Sequence, residues 1–157
     1  MNDLSRMNAK QTPADPSSDP PPLAAMQIPI RVAYQETDGQ RRVHHANYLN
    51  YFERGRVEML RELGISYRQL EDDGILLVVT EMNLLYHAAA EFDDVLTLTT
   101  EAIEVRPVRV KHRYRIHRGD DLIVQAWSTI AAVNREGKPC RLPPRMRELA
   151  SAAERSS

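Results

Sequence analysis

The chain has 157 residues, of which 42% are hydrophobic and 27% are charged, and its formal net charge is −1. This length and composition indicate one globular domain with a substantial core. The near-neutral charge gives no support to a nucleic-acid partner or an anionic membrane surface. The single cysteine, Cys140, excludes a disulfide within the chain and a cysteine-based zinc cluster.

Residues 1–26 are predicted to form a disordered, proline-rich tail. Five prolines alternate there with serine and aspartate, a composition that cannot bury enough apolar surface to fold. The tail lacks the apolar segment of a signal peptide, and no apolar run in the chain is long enough to span a bilayer. The expectation is therefore a cytoplasmic protein without a membrane span.

The folded sequence is predicted to begin with a strand and a long helix. Alternating apolar residues over 27–35 predict the strand, and apolar residues at three- and four-residue spacing over 46–63 predict the helix. Gly64 is expected to end this helix in a left-handed conformation, with Ile65 making the following apolar contact. Gly55 inside the helix costs helix propensity, and it indicates a close approach to a sheet.

Four β-rich segments follow the helix, after a short helical turn that Ser66 is expected to cap. Val, Ile, Leu and Thr dominate these segments, which cover 75–86, 94–105, 108–118 and 121–133. Gly119-Asp120 predicts a hairpin between the last two. A short helix over 144–153 is then predicted, and 148–157 are assigned to a C-terminal tail.

This element order predicts an α+β fold in which one long central helix packs on a mainly antiparallel sheet of about five strands. Residues 27–147 would form this domain. Apolar side chains on both faces of 75–79 and of 121–133 predict burial on both sides of the sheet. Because one helix cannot cover both faces, the chain is expected to oligomerise.

The polar loop before the long helix is the main candidate for a site. Asp38 lies in this loop, and an Asp-Gly pair is by itself typical of a simple turn. The functional interpretation is that the Asp38 carboxylate lies near the unpaired amide groups of the helix start, among them that of His45. Acyl transfer needs a group that attacks or activates water and donors for the oxyanion.

The other polar residues give weaker signals. His44 and His45 are expected to point in different directions, and no histidine spacing predicts a metal site. Glu53 is either a solvated or ion-paired helix residue or a second carboxylate that faces a neighbouring subunit's site. A basic stripe on the third β-rich segment is predicted to be a solvated face, with an anionic-ligand platform as the alternative; it consists of Arg109, Lys111, Arg113, Arg115 and His117.

Three groups of residues in and after this loop resemble a known family. They are Tyr34-x-Glu36-Thr37-Asp38, then Val43-His44-His45-Ala46-Asn47-Tyr48-Leu49, then Phe52-Glu53. This pattern is similar to the 4-hydroxybenzoyl-CoA thioesterase family, and within it to the YbgC-like acyl-CoA thioesterases. The resemblance covers about 27–147 and implies the hotdog fold.

The resemblance also implies an activity, the hydrolysis of an acyl-CoA thioester. Asp38 corresponds to the catalytic aspartate, as nucleophile or as general base, and the His45 amide to the oxyanion donor. Tyr48 and Glu53 are second-tier site residues, and candidates for binding coenzyme A are Arg41, Arg106 and Arg109. The site would lie between the subunits of a homodimer, commonly within a dimer-of-dimers tetramer. No metal or redox cofactor is implied, because coenzyme A is part of the substrate.

Three positions depart from the family pattern. Glu36 stands where Asp is usual, His44 where Tyr or Trp is frequent, and Arg41 where Gly is usual. Glycine at the Arg41 position suggests a backbone conformation or a close approach that a large side chain would disturb.

Two alternatives to hydrolysis of acyl-CoA stay open. One is a hotdog protein that binds acyl-CoA without turnover, and the other is a thioesterase that acts on acyl carrier protein.

Overall fold

The computed structural model describes residues 19 and 21–156, and it consists of one antiparallel sheet and three helices. The strands follow the spatial order β1-β3-β4-β5-β2. This confirms the α+β class with five strands. The elements are β1 (Ala24–Arg31), α1 (Asn47–Glu62), α2 (Tyr67–Asp72), β2 (Leu76–Tyr86), β3 (Val95–Val105), β4 (Arg109–Arg118), β5 (Asp121–Val133) and α3 (Pro144–Arg155).

The two predicted chain termini need correction. β1 begins at Ala24, so residues 24–26 form a strand and not the end of a tail. The strand ends at Arg31, so the prediction of a strand up to residue 35 is wrong, and Tyr34–Glu36 form a short 3-10 turn instead. Ala24 pairs with Ala102 and Met26 with Thr100, and this long-range pairing is invisible in local composition. Residues 1–18 and 20 of the predicted tail lie outside the described part of the chain. At the other end, residues 148–155 continue α3, because Leu149 packs against the core.

α1 lies across one face of the sheet and divides the core into two clusters. Tyr51 and Phe52, in its first half, pack with residues of β1, β3, β4 and β5. Met59 and Leu60, in its second half, pack with residues of α2, α3 and the sheet. The helix therefore buries one side along its whole length, as the spacing of its apolar residues predicted.

Gly55 marks the closest approach of α1 to the sheet. A Cβ atom at this position would overlap the Thr100 Oγ1 atom and lie 2.9 Å from Leu98 Cδ2. The helix then ends as predicted: Gly64 has φ of 73°, and the amide of Ile65 donates to the Leu60 carbonyl over 2.8 Å. This is the hydrogen bond of a Schellman motif.

The face of the sheet opposite α1 carries an ion-pair network where a solvated stripe was expected. The side chain of Arg113 is only 6% exposed, and its Nε donates to the Glu101 carboxylate over 2.6 Å. Arg113 also pairs with Asp19, and Arg115 contacts Glu101 at 3.0 Å. The solvated interpretation is therefore wrong for Arg113, because Glu101 lies directly opposite it on β3.

Among the described residues, β2 forms an edge of the sheet and pairs only with β5. Val78 and Val79 on this strand are exposed, by 37% and 50%. A single chain therefore leaves this segment uncovered, and its burial in an oligomer stays a prediction. An exposed apolar edge strand of this kind offers unpaired backbone groups to another strand.

Candidate active site

The loop before α1 is a small hairpin whose tip carries Asp38. The amide of His44 donates to the Glu36 carbonyl over 2.9 Å, and that of Asp38 donates to the Arg42 carbonyl over 2.8 Å. A bridge between Thr37 and Val43 lies between these two rungs. A further hydrogen bond, from the Val43 amide to the Ala90 carbonyl over 2.8 Å, fixes the hairpin to the loop between β2 and β3.

One oxygen of the Asp38 carboxylate is used to hold the hairpin tip. Oδ1 accepts the amide of Gln40 at 2.8 Å and that of Arg42 at 3.4 Å, which is an Asx-type turn. Within the described part of the chain, Oδ2 accepts no hydrogen bond. The side chain is half-buried. Asp38 is thus both the turn residue of the simpler interpretation and a carboxylate with one oxygen available.

Arg41 occupies the left-handed conformation that its position suggested. Its φ is 65°, a region that favours glycine, and its amide donates to the Asp38 carbonyl over 3.0 Å. The arginine adopts the backbone conformation without displacing the hairpin bonds. Arg41 is exposed, and its assignment to coenzyme A binding stays a prediction.

Glu36 connects the hairpin to both neighbouring elements. Its Oε2 atom accepts the Ala33 amide at 2.8 Å and the Tyr51 hydroxyl at 2.5 Å. Its carbonyl accepts the Asn47 side-chain amide at 2.7 Å. Burial and the bond to Glu36 raise the pKa of Tyr51, so the phenol is protonated and donates to the carboxylate.

α1 begins at Asn47, two residues after His45, and its first turn lacks an ordinary side-chain cap. Instead the Nδ1 atom of His44 accepts the Ala46 amide at 3.1 Å, while the His44 carbonyl accepts the Asn47 amide at 2.9 Å. Within the described part of the chain, the amide of His45 donates to no acceptor. It is therefore a free donor at the positive end of a 16-residue helix.

The two histidine rings lie side by side, which differs from the expectation that they diverge. Their centroids are 4.2 Å apart and their planes differ by 28°. The irregular backbone before α1 allows this stacking, since neither residue belongs to the helix. Among the described residues, no cluster of three or more His, Cys, Asp or Glu could hold a metal ion.

Two tyrosines support the helix start, Tyr86 from the end of β2 and Tyr48 from the first turn of α1. The Tyr86 hydroxyl donates to the His45 carbonyl over 3.0 Å, and its ring packs edge-on against Tyr48 at 5.7 Å. Tyr48 is only 3% exposed, and burial raises its pKa. Tyr48 therefore supports the site by packing and presents almost no surface to a substrate.

An ion pair fixes the neighbouring loop between β2 and β3. Arg118 donates to the Asp94 carboxylate over 2.8 Å and to the Ala89 carbonyl over 3.1 Å. Burial acts to raise the pKa of Asp94, but the Glu91 amide and the Arg118 guanidinium hold it below its ordinary value. This loop carries Ala90, which accepts the Val43 amide of the hairpin.

Glu53 lies on α1 at an apolar cavity and not at the hairpin. It is exposed and lies eight residues after His45, about 12 Å along a helix axis. The cavity has a volume of about 90 Å³ and lies between α1, β2 and the centre of the sheet; its lining includes Arg56, Val57, Tyr67, Leu77, Val79 and His112. No ion pair joins Glu53 to Arg54 or Arg56 within the described part of the chain.

Arg106 and Arg109 lie far from Asp38 in the same chain. They flank the turn that joins the end of β3 to the start of β4, and Arg106 pairs with Glu104 over 3.3 Å. The hairpin contacts the loop before β3, and the 11 residues of this strand cover about 35 Å. Their assignment to coenzyme A binding stays a prediction, one that needs these residues from another copy of the chain.

Several contacts of the site were not predicted from the sequence. Tyr51 looks like an ordinary core residue of α1, and its bond to Glu36 joins residues 15 positions apart. Tyr86 and Arg118 reach the site from distant strands. The only signal for Glu36 was its departure from the family pattern.

Comparison with known proteins gives the family of the chain. The family model of the thioesterase superfamily matches residues 40–125, more than half of the chain. The chain belongs to the thioesterase superfamily. This membership and the structural neighbours confirm the predicted family, the hotdog fold and the class of enzyme, a thioester hydrolase. The matched segment includes His45 and begins two residues after Asp38.

Individual relatives match over most of their length. The chain is 35% identical over 108 residues to "Acyl-CoA thioesterase YbgC" of Haemophilus influenzae, covering 68% of this chain and 79% of the relative. It is 32% identical over 127 residues to "Acyl-CoA thioester hydrolase YbgC" of Escherichia coli O157:H7, covering 80% and 92%. The solved structure of a probable thioesterase from Bartonella henselae is 35% identical, with a TM-score of 0.73 and coverage of 76% and 100%.

Among the described residues, no helix is both long enough and apolar enough to cross a membrane.

Proposed function

We propose that this thioesterase hydrolyses acyl-CoA, with Asp38 and the His45 amide as its reacting groups. The observation that carries the proposal is a pair of groups before α1 that have no hydrogen-bond partner among the described residues: Asp38 Oδ2 on the hairpin, and the His45 amide at the helix start. The names of the relatives from Haemophilus influenzae and Escherichia coli support acyl-CoA as the substrate.

In the proposed reaction the His45 amide donates to the thioester carbonyl oxygen. As the carbon becomes tetrahedral, negative charge develops on that oxygen, and the helix end stabilises it. Asp38 Oδ2 either attacks the carbon, giving an anhydride that water then cleaves, or removes a proton from the attacking water. The C–S bond breaks, and the products are the free acid and the coenzyme A thiol.

This chemistry uses groups of the chain and of the substrate alone. The carboxylate serves as nucleophile or base, the amide serves as oxyanion donor, and coenzyme A leaves as part of the substrate. The proposal therefore includes no metal or redox cofactor. Arg41, which is exposed beside Asp38, is the proposed contact for an anionic group of coenzyme A.

The active form is proposed to be a homodimer or a dimer of dimers. The exposed edge strand β2, with Val78 and Val79, supports pairing between copies of the chain. The cavity beneath α1 is then proposed to take the acyl group of a substrate held at the partner's hairpin, since about 12 Å or more of helix separates it from His45 in its own chain. Glu53 and Val79 lie at this cavity.

The test is thiol release from a panel of acyl-CoA esters with short, medium, long and aromatic acyl groups, plus one acyl carrier protein ester. Wild type and Asp38→Asn are compared. Turnover of an acyl-CoA ester that falls at least 100-fold in the variant supports the proposal. Turnover of the carrier-protein ester alone would reassign the carrier. Absence of release from every ester, with folded protein, would contradict hydrolysis and favour a protein that only binds acyl-CoA.

A further inference from the structure

We propose that Glu36 and Tyr51 form a positioning pair that sets the Asp38 carboxylate relative to the His45 amide. This inference rests on the proposed function, because it concerns the geometry of the same two groups. Neither side chain is expected to touch the substrate. We expect the pair to act through the hairpin, because Glu36 lies at its base and accepts the His44 amide from the opposite side.

The first step of the argument is that Tyr51 is a fixed point. It is 1% exposed, lies in the first half of α1 and packs edge-on against Tyr48 at 5.8 Å. A buried ring on a helix has little freedom, so its hydroxyl provides a stationary donor. The bond to Glu36, at 2.5 Å, has the length of a strong hydrogen bond from a hydroxyl to a carboxylate.

The second step is that Glu36 transmits this position to the hairpin. Its carboxylate holds the Ala33 amide at 2.8 Å, which fixes the chain as it leaves β1. Its carbonyl holds the His44 amide at 2.9 Å, which is the rung at the base of the hairpin. The same carbonyl accepts the side-chain amide of Asn47, the first residue of α1, at 2.7 Å. One residue therefore joins the strand end, the hairpin base and the helix.

The third step is the distance along the chain from this junction to the reacting groups. Asp38 follows Glu36 by two residues, and His45 follows His44 by one. A rotation of the hairpin about its base would move Asp38 relative to α1, whereas His45 is also held by Tyr86 through its carbonyl. The Glu36–Tyr51 bond opposes this rotation, because it ties the base of the hairpin to the second turn of the helix.

The length of the Glu36 side chain allows its carboxylate to reach both of its partners. Compared with an aspartate, the extra methylene of Glu36 provides reach toward Tyr51, while Oε2 still accepts the Ala33 amide. Small errors in the placement of reacting groups cost large factors in rate. The pair is thus expected to act on kcat and to leave substrate binding nearly unchanged.

The test compares Tyr51→Phe, Glu36→Gln, Glu36→Ala and the double variant Tyr51→Phe/Glu36→Ala on the best acyl-CoA substrate. Tyr51→Phe and Glu36→Ala are expected to lower kcat about 10- to 100-fold with KM changed less than threefold. Glu36→Gln, which keeps an acceptor for Tyr51, is expected to retain more activity than Glu36→Ala. The kcat of the double variant is expected to be no more than about threefold below that of the worse single variant, since both changes break the same Tyr51–Glu36 hydrogen bond.

Two controls distinguish this role from general stability. Ser128→Ala removes a buried hydroxyl of β5 that shares a hydrogen bond of 2.6 Å with the Tyr114 hydroxyl, away from the hairpin, and is expected to leave kcat unchanged. Unfolding midpoints of all variants are measured, and kinetics are run well below them. Wild-type kcat in Tyr51→Phe, or an effect on KM alone, would overturn the inference while leaving the role of Asp38 intact. Failure of the proposed function would instead appear as Asp38→Asn with unchanged turnover.

Discussion

The amino-terminal end of α1 carries a hairpin held by hydrogen bonds, whereas the carboxyl-terminal half of the same helix packs directly against the sheet. Around Asp38 nearly every fixed contact is polar, and the residues from Arg41 to Ala46 are exposed apart from Val43. Around Gly55 the helix touches β3 so closely that a side chain has no room. The two regions therefore differ in what a substitution should change.

Under the proposed function, one helix contributes to stability with one half and to the reaction with its amino-terminal end. The packed half obtains its stability from apolar burial, which is insensitive to the orientation of single dipoles. In the part of the chain that the structure describes, the hairpin end leaves the His45 amide and one Asp38 oxygen without partners, and we propose that a substrate uses both. Variants at the hairpin should alter kcat with little change in the free energy of unfolding. Variants at Gly55 should alter the free energy of unfolding with little change in kcat.

The largest expected effect separates the amide of His45 from its imidazole. His45→Pro removes the free amide, and turnover should fall about 100- to 1,000-fold, as for the loss of one oxyanion donor. His45→Ala keeps the amide and should change kcat less than about fivefold. The measurement is steady-state thiol release with both variants. Equal losses of turnover in the two variants would show that the reaction depends on the imidazole and not on the amide.

Next in size is the packing of α1 against β3. Gly55→Ala improves helix propensity by about 1 kcal/mol, but its Cβ would overlap Thr100 Oγ1, so we expect a net loss of about 1 to 3 kcal/mol. Urea unfolding gives the value. The exposed helix residue Arg54 offers a matched control, because Arg54→Ala should stay within about 0.5 kcal/mol. A Gly55→Ala protein more stable than wild type would contradict the close approach.

The fold was predictable where a pattern is local, and the site only in part. The β-rich segments and the Gly64 helix end follow from periodicity and from single-residue conformations. β1 was placed three residues too late, because its start depends on pairing with β3. The position of Asp38 in a polar loop shortly before α1 was predictable from the sequence, whereas the roles of Asp38, Arg41 and the His45 amide stay predictions from the resemblance. The contacts of Tyr51 and Tyr86 were not predictable, because their hydroxyls contact residues 15 and 41 positions away.

The buried His112 gives the packed half a pH dependence. Burial, with a smaller contribution from Arg56, lowers its pKa to about 3, from an ordinary value of 6.5. Below pH 6.5 the unfolded chain therefore binds a proton that the folded chain does not, and stability should fall by about 1.4 kcal/mol per pH unit toward pH 3. Urea unfolding at pH 7.5 and 5.0 should show about 2 kcal/mol more loss for wild type than for His112→Gln. Equal losses would refute a buried neutral His112.

The smallest expected effect concerns the backbone of the hairpin tip. Arg41 has φ of 65°, so Arg41→Gly should be more stable than Arg41→Ala by about 1 kcal/mol. Both variants lack the arginine side chain, so the difference between them reports the cost of the backbone conformation. Equal unfolding free energies would show that the left-handed conformation costs nothing here. A higher KM for acyl-CoA in both variants would support the proposed contact with coenzyme A.

The most direct test of the account compares two aspartates at the same end of the domain. Asp38→Asn and Asp93→Asn each replace one carboxylate in neighbouring loops, and Asp93 is exposed and paired only with Arg31 within the described residues. Both kcat and the unfolding free energy are measured on the same preparations. The account predicts at least a 100-fold loss of kcat for Asp38→Asn, near wild-type kcat for Asp93→Asn and stability within about 1 kcal/mol for both. Equal kcat in the two variants would contradict a reacting role for Asp38.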